Sequence, residues 1–211
     1  MIPNVEPARK LSKSPSPEDV DHRVILHGVS WEQYEALNAL RGESSALRVT
    51  YLDGELELMS PSRHHEIMKT LLARLLEAYA EEEDIRLDGN GSWTLKRKKK
   101  EAGAEPDECY VVGAHEVDRP DVAIEVVWTS GGLPKLEVYR RLRVREVWFY
   151  RDGSLRFYAL GRSAYREIRR SRILPGFVPE LIAPFMGQTD QTRAVRAFRK
   201  ALKARHTGRR A

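Results

Sequence analysis

A single cysteine, Cys109, among 211 residues excludes an internal disulfide framework and any zinc site built from several thiolates. No uninterrupted apolar run approaches the roughly 20 residues that a membrane-spanning helix needs, and the N-terminus shows no basic-then-apolar leader pattern. The expectation is a soluble, cytoplasmic chain with no membrane partner. At 24.2 kDa it is long enough for one well-cored domain and too short for two full-sized ones.

Acidic residues are missing from the end of the chain. Residues 191–211 hold eight Lys/Arg and no Asp or Glu, so the net charge of +5 leaves the first 190 residues mildly acidic. The basicity belongs to that tail, and overall charge therefore does not by itself mark the globular part as a nucleic-acid binder.

Three regions follow. Residues 1–22, with scattered prolines and serines and no periodicity, read as a poorly ordered arm; 23–190 read as the globular domain, with structure starting near His27; 191–211 read as a basic amphipathic tail. Ser30 and Gln33 have capping-box spacing ahead of a short helix carrying Trp31, Tyr34, Leu37 and Leu40. Asp53-Gly54 supplies the positive φ angles of a tight hairpin between 47 and 59. Ser60-Pro61-Ser62 then opens a helix to about Glu83, whose apolar stripe runs through Ile67, Leu71, Leu75 and Tyr79.

Strands are expected over 91–97, 107–112 and 121–127, then a helix after Pro134, then a second hairpin at Asp152-Gly153. Val122 to Trp128 is nearly continuous in apolar β-formers, as a strand covered on both faces must be. This order predicts a mixed α/β fold: a central mixed sheet flanked by helices.

One residue is out of place in that plan. Glu125 interrupts the most apolar strand, and an unpartnered carboxylate taken out of water costs several kcal/mol. Alternation puts Asp121 and Glu125 on one face, and Asp107 begins the neighbouring strand. Such a cluster is stable if it shares protons, binds a cation or faces a basic side chain, and Lys135 is placed to fold back over the strand end. Two acids and a lysine suit metal-assisted phosphodiester hydrolysis, the acids holding Mg²⁺ and the lysine steadying the nucleophile or the developing charge.

The segments Glu105-Pro106-Asp107, Arg119-Pro120-Asp121 to Gly132, Lys135 to Arg140 and Glu146 to Tyr150 resemble the Uma-type family of restriction-endonuclease-like proteins, in the PD-(D/E)XK nuclease superfamily. Tyr51 to Pro61 with His65-Glu66 is similar too, so the resemblance covers about residues 25–160. It implies a restriction endonuclease-like fold and a Mg²⁺-dependent DNA endonuclease, with Mn²⁺ as a substitute. It further implies Asp107 and Glu125 as metal ligands, the Val126 carbonyl as another, and Glu66 as a helix glutamate aimed at the metal. The superfamily's lysine position falls here on Val127, which leaves Lys135, in a lysine-then-tyrosine pattern with Tyr139, as the migrated substitute. Cutting two strands takes two symmetry-related sites, so a homodimer is expected. The competing reading is a non-catalytic nucleic-acid-binding or assembly module on the same fold.

Other candidates carry plainer readings. Asp121 suits a loop end that bonds nearby amides, and the adjacent His64 and His65 suit a helix surface or cap because the usual i, i+4 metal pair is missing, with a supporting place behind the site residues left open for His65. Cys109 suits a buried small hydrophobe. The run 96–100, Lys-Arg-Lys-Lys-Lys, is either a solvated loop or a phosphate grip, and the basic tail either a solubilising end or a DNA contact.

Overall fold

The computed structural model describes residues 20–42, 44, 46–113, 117–127 and 132–210. Nearly all of the expected arm, together with Trp128 and Ser130-Gly131 of the expected turn, lies outside the described residues. Two sheets carry the fold. The first contains β1 (His22–Leu26), β2 (Arg48–Leu52) and β3 (Glu55–Ser60). Its other two strands are β5 (Leu95–Arg97) and β6 (Ala102–Ala104), giving the antiparallel order β1-β3-β2-β6-β5.

The second sheet contains β4 (Leu87–Gly89), β7 (Glu108–Val112), β8 (Val122–Val127), β9 (Glu146–Arg151), β10 (Ser154–Leu160) and β11 (Tyr165–Ile168). Its order is β11-β10-β9-β8-β7-β4, mixed because β8 and β9 run parallel. The connection between them is α3 (Lys135–Leu142), as a parallel pair requires a crossover. The mixed sheet with flanking helices matches the expectation; the second, antiparallel sheet adds to it.

The helices form where their signals lie. Helix α1 (Trp31–Arg41) begins in a complete Ser30/Gln33 capping box. Helix α2 (Arg63–Glu82) starts at Ser62, whose side chain accepts from the His65 amide. Both Asp-Gly hairpins take the positive φ angles their turns need, at Asp53 and Gly54 and at Asp152 and Gly153. Gly103 in β6 is needed for a different reason: a Cβ there would overlap the Tyr34 hydroxyl.

Strand β8 is central and covered on both faces. Val122, Ile124 and Val126 pack with Leu71, Leu72, Leu75 and Leu76 of α2, while Ala123 packs with Val138, Tyr139 and Leu142 of α3 and with Leu52, Ala102 and Ala104 of the first sheet. Glu125 shares the Ala123 face by alternation. It therefore points between the two sheets, under the start of α3.

Ordered structure begins before His27. Strand β1 pairs with β3 from His22 to Leu26, and Asp21 is buried; the preceding prolines hid a strand only five residues long. At the other end, α4 (Gln191–Arg210) is not a detached tail. Ala194, Phe198 and Leu202 are buried in the core beside α2. Arg199 pairs with Glu81 and Glu82, and His206 with Glu83 at 2.8 Å. Part of the tail's positive charge is thus spent on the acidic end of α2.

Candidate active site between the two sheets

Glu125 is 4% exposed, and its Oε1 accepts from two groups of α3. Lys135 Nζ stands 3.3 Å away and the Tyr139 hydroxyl donates to the same oxygen. The pair is four residues apart, so one helical face presents both. Lys135 Nζ also donates to Thr50 Oγ1 on β2 at 2.9 Å, which ties the helix start to the first sheet.

Asp107 lies beside Glu125, at the start of β7. Its amide donates to the Ile124 carbonyl at 3.1 Å, and its Oδ2 accepts from the Val126 amide at 2.8 Å. The Asp107 carboxylate thus occupies the strand edge where ladder pairing stops. Its Oδ1 is in ion-pair range of two cations, His65 Nε2 at 3.1 Å and Arg48 Nε at 3.7 Å, and accepts no hydrogen bond of good geometry. On its far side His65 Nδ1 faces Asp21 Oδ2 at 3.2 Å. His65 is fully buried between two carboxylates.

These contacts separate the two acids electrostatically. Burial pushes the Asp107 carboxyl up, but His65, the Val126 amide and Lys135 outweigh it and hold the group below the ordinary carboxylate range. For Glu125 burial wins, helped by the negative charge of Asp107 and opposed by Lys135 and Tyr139, so its carboxyl lies above the ordinary value. Burial disfavours charge on Lys135, yet Glu125, Glu57 and Asp107 raise its pKa and keep it a cation. His65 resists its own burial through Asp107 and Asp21 and is pushed up to about 10. The two neighbouring carboxyls are thus driven in opposite directions.

The first sheet contributes a polar face that sequence reasoning missed. Arg48, Thr50 and Leu52 share one side of β2, opposite Val49 and Tyr51, which pack on α1. Glu57, paired in register with Thr50, is 1% exposed; it accepts from the Leu133 amide at 2.7 Å and faces Arg23 Nε at 3.4 Å. His65 is buried against Asp107, which overturns the surface or cap reading and matches the supporting place left open for it. Its signal was present in the periodicity, since His65, Met68 and Leu72 stand at i, i+3 and i+7 on the inward stripe of α2.

A family model described as "Putative restriction endonuclease", Uma2, matches residues 31–185. The chain belongs to the Uma2 family. Among solved structures it is similar to a protein from Anabaena variabilis ATCC 29413 described as a "putative nuclease belonging to DUF820". The two share 12% identity at a TM-score of 0.44, over 67% of this chain and 89% of the other. No curated protein matches.

Within this Uma2 chain the structure brings Asp107, Glu125, Val126 and Lys135 together and leaves two candidates aside. Asp121 is held at the opposite end of β8, where Oδ2 accepts from the Val112 amide at 3.0 Å and Oδ1 from Arg145 at 2.9 Å. The three-carboxylate convergence therefore reduces to two, and Asp121 takes the loop-end role. Glu66 is 40% exposed, pairs with Lys69 at 2.6 Å and meets Arg48 Nη2 at 3.8 Å. It reaches Asp107 through Arg48 rather than directly. The hollow that holds the two acids is nearly closed to solvent, Asp107 being 1% and Glu125 4% exposed, because β2, α2 and α3 all pack over it.

Among the described residues no group of three or more His, Cys, Asp or Glu is arranged to hold a metal ion. Magnesium does not need one, since it commonly keeps several waters and takes one or two carboxylates. The residues present fit such an ion. Asp107 Oδ1 is a buried oxygen without a hydrogen bond, facing His65 and Arg48 only as ion pairs at 3.1 and 3.7 Å, and both hydrogen bonds to Glu125 fall on Oε1. In an extended strand a residue's N–H and C=O project to the same edge, which puts the Val126 carbonyl on the edge that Asp107 occupies.

Proposed function

We propose that this Uma2 chain is a metal-dependent nuclease that hydrolyses phosphodiester bonds in DNA, working as a homodimer. The observation that carries the reading is the placement of a lysine ammonium 3.3 Å from Glu125 Oε1 in a site that also holds Asp107. Asp107, Glu125 and the Val126 carbonyl would hold Mg²⁺, or Mn²⁺ in its place, which when bound polarises the scissile phosphate and acidifies its water.

The protein's own groups do the rest. Lys135 is kept charged and anchored by Thr50 and Glu125, so its ammonium steadies the attacking water and the charge that builds on the phosphate. Lys135 and Tyr139 both donate to Glu125 Oε1, so Oε2 is the oxygen that Glu125 would offer the metal. Asp107 stays ionised because His65 and Arg48 stand against it. Tyr139 fixes the Glu125 rotamer. Glu66 acts through Arg48.

A second reading has its own support. The near-complete burial of Asp107 and Glu125, already neutralised by His65, Arg48 and Lys135, suits a non-catalytic nucleic-acid-binding module on the same scaffold. Incubation with supercoiled plasmid and with single-stranded DNA in Mg²⁺ or Mn²⁺ separates the two, with Asp107→Ala as the contamination control. The nuclease reading expects nicking by the parent alone. Equal nicking by Asp107→Ala, or none by either protein while both bind DNA, overturns it.

A further inference from the structure

Four arginines line one concave surface at the end of β8 remote from Glu125. Arg119, Arg143, Arg145 and Arg172 border a cleft of about 380 Å³ with Glu146 as its acidic residue. That carboxylate is already committed to Trp148 Nε1, the Ser171 hydroxyl and the Arg172 amide. Arg119 pairs with Asp118 and Arg145 with Asp121, whereas Arg143 and Arg172 have no carboxylate partner among the described residues. The positive surface continues. Arg143 also borders a second cleft, of about 530 Å³, where Arg97, Lys99 and Lys100 outnumber the acids Asp53 and Glu101, and Asp53 is paired with Arg141.

Gathering exposed guanidinium groups around a hollow is unfavourable unless an anion shares it. The planar fork of arginine suits phosphate oxygens, which it grips in pairs. Helix α3 connects this surface to the site: Lys135 is its first residue and Arg143 follows its last, a span of about 12 Å. That distance equals between three and four base-pair rises along a duplex axis, at about 3.4 Å each. A mononucleotide cannot reach both ends, but a strand of DNA can.

We infer that the cleft of Arg119, Arg143, Arg145 and Arg172 binds backbone phosphates of the DNA substrate, several nucleotides from the bond placed at Glu125 and Lys135. The inference rests on the nuclease reading for the identity of the polymer and adds where the protein holds it. Contacts of this kind position the strand and carry no sequence information.

The test is fluorescence anisotropy with an end-labelled duplex in EDTA, so that nothing is cleaved, across about 50 to 200 mM salt. Arg143→Gln/Arg172→Gln should bind at least about tenfold more weakly at the low-salt end. The slope of log affinity against log salt should flatten by about two, near 0.9 for each phosphate no longer neutralised. Arg166→Gln/Arg169→Gln, an equal charge change at exposed residues on and just after β11, should leave both quantities close to the parent's. A melting temperature matching the parent's shows that the cleft variant is folded; if it is not, Arg172→Lys, which keeps charge and loses the fork, is expected to weaken binding with the slope retained. An unchanged slope in the cleft variant, equal loss in the control variant, or displacement of DNA by polyglutamate at matched charge overturns the inference. If the parent cuts plasmid while the cleft variant binds as the parent does, only this inference fails; if the parent neither binds nor cuts DNA, the nuclease reading falls with it.

Discussion

Lys135→Met should destabilise the fold through Glu125 more than through its own packing. With Nζ 3.3 Å from Oε1, the direct attraction is about 5 kcal/mol at an effective dielectric of about 20. Removing Lys135 also relieves its own desolvation, and Glu125 can take up a proton, so the net loss expected is about 3 kcal/mol, the low end for breaking a buried pair. In a chain of this size that lowers the melting temperature by about 6 to 12 °C. Glu125→Gln alone should cost a similar amount by stranding the lysine. The double variant should cost no more than about 1 kcal/mol, because neither charge then lacks its partner. Urea denaturation of the four proteins in EDTA measures the cycle. A coupling energy under about 0.5 kcal/mol, the scatter expected of independent sites, would mean that the two side chains do not form the pair described.

Further outcomes follow from the same geometry. His65→Ala leaves Asp21 and Asp107 facing each other across a void without their shared cation, and urea midpoints at constant m-value should report a loss of about 3 to 5 kcal/mol; a loss under about 1 kcal/mol would return His65 to a surface role. Gly103→Ala should cost about 1 to 3 kcal/mol by overpacking against Tyr34, and Tyr34→Phe, which removes the hydroxyl, should recover part of it in the same assay. Burial pushes Cys109 up to about 12 and, with its bond to Glu101, Tyr51 up to about 12. Both raised groups hold their protons longer in the folded chain, so stability is fully present below about 9 and falls as pH rises toward 12. Chemical denaturation between about pH 8 and 11 checks the sign, and Cys109 should stay inert to a thiol reagent at about pH 8 until the chain unfolds.

How far the sequence reveals this fold depends on how local each signal is. The capping box at Ser30, the Asp-Gly turns and the stripe of α2 are written in neighbouring residues, and the helices and hairpins form there. Glu125 is legible because it breaks an apolar run, and Lys135 because helix α3 opens directly on it. Strands β1, β4 and β11 are short and mixed in composition, and they pair only because partners already exist. Glu57 and Thr50 lie in β3 and β2, where burial does not alternate, so no period separates the face toward α1 from the face toward the site. Asp21 is invisible for a similar reason: its partner is 44 residues away. The tail shows the opposite failure, since its charge is plain in the sequence while the acids of α2 that absorb part of it are found only through packing.

The central claim is that Asp107 and Glu125 take up one divalent cation between them. Calorimetric titration of the full chain with Mn²⁺ tests it without any substrate. One site per chain is predicted for the parent, lost in Asp107→Ala and in Glu125→Ala and retained in Lys135→Ala. Binding by both carboxylate variants with the parent's affinity would contradict the claim.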